Sequence, residues 1–177
     1  MMEIRRLFSW MVVVGILMIT AGCASNGLAS DDIYPEEPEF QFGEDADIQD
    51  TPEVREVVDV LFQYRQALIA KDFGTLNRLV SENYYENTGT THTTADDYGH
   101  SGLAEVFEMM AEYAKEIRYS VTVQDVVVRD NQAHIDFEFQ YAYQYQIADK
   151  ETWDAGVDVN RMELHREGNA WRIVGGM

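Results

Sequence analysis

His92, Asp96, Asp97 and His100 fall within one short stretch, and imidazole nitrogens beside carboxylate oxygens are a ligand set for zinc and other divalent ions. Their spacing matches no metal motif, and a solvated loop is the preferred reading, with His92, Asp96 and His100 kept as candidate ligands. Asp158 and Asn160 form a second set. If Met162 and Leu164 face a core, alternation puts both polar residues on that same strand face, where they suit the mouth of a pocket. A solvated strand end accounts for them as well. Tyr141, Tyr143 and Tyr145 alternate along another strand, their hydroxyls either turned to a ligand or reaching the rim of an aromatic core. Tyr84 and Tyr98 complete the pocket candidates. No glycine-rich phosphate loop, nucleophile elbow or paired-carboxylate motif occurs, and no cofactor is expected.

These residues must be positioned by a sheet. From Gln132 to Ile147 the chain alternates without a break, with Ala133, Ile135, Phe137, Phe139, Tyr141, Tyr143, Tyr145 and Ile147 on one face. His134, Asp136, Glu138, Gln140, Gln144 and Gln146 occupy the other. This predicts a long strand with one buried aromatic face and one wet face, in an antiparallel sheet covered on one side. Tyr119 to Arg129 precedes it, with a bulge expected near Asp125 to keep Val126 and Val128 inside, and Asp130-Asn131 as the turn. Ala148 to Ala155 is read as a connection, Gly156 to Glu167 as the next strand, Gly168-Asn169 as a turn, and Ala170 to Gly175 as the last strand.

Three helices come first. Thr51 caps a helix from Pro52 to Ala70 with Val54, Val57, Val58, Leu61 and Leu68 on its core face and Arg65 the one polar residue of that stripe. A second runs from Thr75 to Val80, and Tyr84 to Thr90 reads as a short strand. After the polar loop from Thr90 to Gly102, Ser101 is expected to cap a third helix whose stripe includes Leu103, Val106, Phe107, Met110, Ala114 and Ile117.

The N-terminal part has a different character. Arg5 and Arg6 precede an apolar run that ends at Thr20-Ala21-Gly22-Cys23, which resembles a bacterial lipobox. The expectation is a lipoprotein signal peptide over 1–22 and a lipid-carrying, palmitate-bearing Cys23 anchored in the envelope membrane. Ala24 after that cysteine implies the outer membrane, facing the periplasm, in a double-membraned cell. Residues 23–50 are acidic and contain Pro35 and Pro38, so they read as a disordered tether spanning about 30 Å, with Tyr34, Phe40 and Phe42 as incidental aromatics. Without residues 1–22 the chain carries 11 basic and 31 acidic side chains, a net charge of −20. Nucleic acid is a poor partner for such a field. Cys23 is the only cysteine, so the domain must hold by packing alone.

The element order over residues 52–177, the segment ALIAKDFGTLNRL from Ala67 to Leu79, and the ending RMELHREGNAWRIVGG from Arg161 resemble the NTF2-like superfamily, which includes SnoaL-like cyclases and ketosteroid isomerases. The resemblance implies an α+β fold over 51–177, a cone in which three N-terminal helices pack on a curved antiparallel sheet around a pocket. It further implies, by alignment on Met162, that Asn160 takes the place of an oxyanion-hole acid, and, by its place after the second helix, that Glu86 would serve as the base; Asp158 is the other candidate base. The expected function is a non-enzymatic binding or assembly module for a protein partner or a small apolar ligand. The alternative is proton transfer on a small apolar carbonyl compound. Many members dimerise through the outer sheet surface, so a weak homodimer that depends on Arg161 is also expected.

Overall fold

The computed structural model describes residues 40–87 and 96–177. Signal peptide, Cys23, Tyr34 and His92 therefore lie outside the described residues. The first helix, α1 (Pro52–Ala70), starts where the Thr51 hydroxyl accepts the Val54 N–H at 3.2 Å, with proline in its first turn. It stops at Lys71, whose φ of 55° places it in the left-handed region and lets its N–H bond back to the Leu68 carbonyl at 3.0 Å. The short α2 (Phe73–Leu79) begins earlier than expected because Asp72 is its cap, accepting the Thr75 N–H at 2.9 Å.

The third helix, α3 (His100–Tyr113), is capped by Gly99 with no side-chain bond, so the role expected of Ser101 is not filled. Nor does it reach Ala114 and Ile117. Both are buried within the strand that follows, because their apolar spacing fits an inward strand face as well as a helical stripe.

That strand, β4 (Ala114–Arg129), pairs with β5 (Gln132–Ile147), then β6 (Lys150–Glu167) and β7 (Ala170–Gly175), all antiparallel. The bulge expected near Asp125 is present as a register shift between Val123 and Asp125. The connection expected over Ala148 to Ala155 is instead a tight turn, with Ala148 at φ 54° and Ile147 paired directly with Lys150. The polar residues that looked like a loop are strand residues beyond the reach of the helices, where nothing requires an apolar face.

One strand was not foreseen. β1 (Phe40–Phe42) lies parallel to β4, with Phe40 opposite Val121, which makes the five-stranded sheet mixed in the order β1-β4-β5-β6-β7. The tether therefore does not run disordered to residue 50. Phe40 is 0% exposed and meets Phe62 edge-on at 5.4 Å, while Ile48 is also buried, so apolar anchors offset the ordering of an acidic segment. A small second sheet pairs β2 (Tyr85–Glu86) with β3 (Tyr98–Gly99). Over the described residues the architecture is α+β, three helices on a curved mixed sheet. Its core joins Val57, Val58 and Leu61 of α1 to Ile135, Met162 and Ile173 of the sheet.

Candidate functional site

Along β5 the inward residues form a ladder of rings. Centroids are 5.9 Å apart for Phe137 and Phe139, 6.0 Å for Phe139 and Tyr141, 5.1 Å for Tyr141 and Tyr143, and 6.0 Å for Tyr143 and Tyr145. Phe137 is fully covered, Tyr143 and Tyr145 are half-buried, and Ile147 is exposed. The strand outruns the helical layer, and a cavity of about 570 Å³ opens where cover is lost. Tyr64 and Leu68 of α1, Leu103 and Phe107 of α3, and Tyr143 and Tyr145 of β5 form its walls. Met109 and Tyr113 stand at its exposed edge, and Met177 also reaches it.

The tyrosine hydroxyls at and behind this wall are neutral groups. Burial, above all, pushes the ionisation of Tyr64, Tyr84, Tyr119 and Tyr143 well above the ordinary tyrosine range. Tyr64 and Tyr119 are also hydrogen-bonded to one another. Such hydroxyls can orient a ligand but cannot act as bases near neutral pH.

The Glu86 carboxylate ties distant parts of the chain together. Glu86 Oε2 accepts the Tyr84 hydroxyl at 2.5 Å, the Gly176 N–H at 3.0 Å and the Met177 N–H at 3.3 Å. Asn160 is tied to the same segment, its Nδ2 donating to the Gly176 carbonyl at 3.2 Å while its Oδ1 accepts the Arg161 N–H at 2.8 Å. Asp158 is exposed, and its Oδ1 accepts the Val159 N–H at 2.8 Å. Register opposite Phe139 and Phe137 puts Asp158 and Asn160 on the same face as Met162, as alternation requires. That part of β6 precedes the residues paired with β7, so these two side chains satisfy backbone donors near an open sheet edge.

Of the six residues expected in a pocket, Tyr98 and Tyr143 line the cavity. Tyr84 stands behind Tyr98, with their rings 6.4 Å apart. Tyr141 faces a separate cavity of about 490 Å³ beside Arg65 and Ile117. Glu86, Asp158 and Asn160 line neither cavity; Glu86 and Asn160 meet instead at the backbone of Gly176. Phe107 and Met110 were legible only as helix stripe, and the wall contributed by Tyr64 was missed. Leu61, Tyr64 and Leu68 follow helical spacing, but spacing does not say where a stripe ceases to meet a neighbour.

Asp96 is exposed and His100 is half-buried at the start of α3. Among the described residues, the ligand atoms that converge are instead those of Asp125, His134 and Asp136, within 4.8 Å of one another on the outer sheet face. Asp136 is already clasped there by Arg161, through Nε at 2.6 Å and a second guanidinium nitrogen at 2.7 Å.

The sequence matches no protein-family model and no curated protein. Solved structures do match its shape. A candidate dehydratase of the NTF2-like family from Streptomyces avermitilis is 15% identical with a TM-score of 0.58, over 71% of this chain and 95% of the other. A ketosteroid isomerase-like protein from Erwinia carotovora atroseptica is 13% identical with a TM-score of 0.58, over 72% and 95%. This chain has an NTF2-like fold. A candidate calcium/calmodulin-dependent protein kinase type II association domain from Thiobacillus denitrificans is also similar, at 16% identity and a TM-score of 0.51, over 71% and 91%. Proteins named for catalysis and for assembly thus share the shape of this NTF2-like domain, and either a binding or an enzymatic role fits it.

Proposed function

We propose that this chain is an envelope lipoprotein, anchored through Cys23, whose NTF2-like domain is a non-enzymatic module binding a small apolar ligand. The observation that carries the reading is the cavity of about 570 Å³ between α1, α3 and β5, walled by aromatic, leucine and methionine side chains. Proton transfer draws less support. Glu86 Oε2 already accepts three donors, the Asn160 amide is engaged with Gly176, and Asp158 is exposed.

The test uses naphthalene as a neutral apolar probe. A ligand that binds only the folded state raises its stability, so the full-length protein should unfold at a higher temperature in its presence. Val106→Trp, which fills the cavity from a half-buried wall position, should remove the shift. No shift, or one that survives the filling, counts against the reading. Palmitate labelling of cells, lost with Cys23→Ala, tests the anchor separately.

The same reading includes weak self-association through the outer sheet face. Val157 and Val159 are 62% and 73% exposed there, and Trp153 carries Arg118 over its ring at 5.1 Å. The Asp136–Arg161 pair neutralises a charge that a facing copy would otherwise repel.

A further inference from the structure

Six aromatic rings contribute to the wall of the large cavity, those of Tyr64, Tyr98, Phe107, Tyr113, Tyr143 and Tyr145, and no lysine, arginine or histidine does so among the described residues. Taking the apolar-ligand reading as its basis, we infer that this cavity selects a hydrophobic organic cation, a quaternary or protonated amine whose charged head lies among the tyrosines and whose apolar body lies toward Phe107 and Met110.

Three observations carry this. The first is ring density. An aromatic face is the negative end of a quadrupole and attracts a positive charge lying over it, most strongly where water is excluded. Tyr143 and Tyr145 are consecutive inward residues of one strand, and Tyr64 faces the same cavity from α1, so a single head group can meet rings from two elements.

The second is the placement of carboxylates. Asp154 is the direct cross-strand partner of Tyr143, which puts it on the same sheet face, and its charge bears on both Tyr143 and Tyr145. Glu86, held behind Tyr84, bears on Tyr64 and Tyr98 from the other side. Negative potential therefore reaches the cavity from two directions, although neither carboxylate belongs to its lining.

The third is the sign of the whole molecule. A net charge of −19 raises the local concentration of cations and opposes entry of an anion. A neutral ligand would use the apolar wall but none of this arrangement. An anionic one would meet neutral hydroxyls whose ionisation is already suppressed, and no positive partner among the described lining residues.

Calorimetric titration of the full-length protein with benzyltrimethylammonium and with its uncharged carbon isostere neopentylbenzene tests the inference. The cation should bind saturably, at one per chain, about tenfold more tightly than the isostere, as one or two cation–π contacts predict. Val106→Trp should abolish both, which separates the cavity from loose attraction to an acidic surface. Asp154→Asn, at an exposed position with little bearing on folding, should weaken the cation severalfold and leave the isostere unchanged. Equal or tighter binding of the isostere overturns the preference for a cation while leaving the apolar-ligand reading intact. Cation binding that survives Val106→Trp also overturns it, and failure of both probes to bind sinks the two readings together.

Discussion

Arg65, only 3% exposed, gives its Nε–H to the backbone carbonyl of Tyr119 at 2.8 Å, and so ties the core face of α1 to β4. A guanidinium survives on an apolar stripe because its stem packs while its head meets main-chain oxygen. Arg65→Met keeps the length and removes the donor, leaving a buried carbonyl short of a partner. The expected cost is about 1–3 kcal/mol in urea unfolding, and a neutral substitution would show that this tie is dispensable.

Phe40 tests whether the end of the acidic segment belongs to the fold. Its side chain is wholly buried against Phe62 and its strand pairs with β4. Phe40→Ala should destabilise the protein by about 3–5 kcal/mol, the usual range for emptying a buried phenylalanine site. Urea unfolding at a loss under about 1 kcal/mol, below that range, would mean that β1 contributes little to the fold.

The pair on the outer face sets a pH dependence. The Arg161 guanidinium beside Asp136 holds its carboxyl below the usual carboxylate range, against a smaller opposing effect of burial. A depressed folded-state value means that the stabilisation is present above the unfolded-state pKa, about 3.9, and is lost as pH falls through the folded value. Both side chains are partly exposed, at 55% for Arg161 and 31% for Asp136, so solvent limits the pair to about 0.2–1 kcal/mol. Asp136→Asn should cost that much at neutral pH and almost nothing in strong acid. An equal cost at both would point to packing rather than charge.

Self-association is tested on the same face. Detergent-solubilised protein should sediment as a dimer at micromolar concentration. Val159→Glu, which puts a charge at the most exposed valine, should give monomer, as should Arg161→Glu, which also uncovers Asp136. A monomer at every concentration before any substitution would end the idea.

Glu86 should behave as a clasp. Glu86→Gln keeps the shape but replaces the charged acceptor of three donors, so a loss of about 1–3 kcal/mol is expected in urea unfolding. Ligand affinity at the cavity should fall less than stability does.

Local chemistry in the sequence was enough to determine the elements whose pattern has a single reading. Thr51-Pro52 fixed the start of α1, unbroken alternation fixed β5, and Asp130-Asn131 and Gly168-Asn169 fixed two turns. The bulge at Asp125 followed from the need to keep Val126 inward. Tertiary structure decided the rest, because it depends on what lies opposite. Ala114 and Ile117 suit a helix stripe or a strand face equally, and Phe40 in an acidic segment becomes core only when β4 supplies a neighbour.

The site divides in the same way. Alternation placed Tyr143 on the inward face and spacing placed Phe107 on the inward stripe of α3, yet neither shows where the two layers part to leave a cavity. Nor could the pattern around Glu86 and Asn160 reveal that both are spent on Gly176, ninety and sixteen residues away along the chain. Hydrogen-bond partners so distant in sequence are chosen by the fold, since only folding brings their backbone groups within reach.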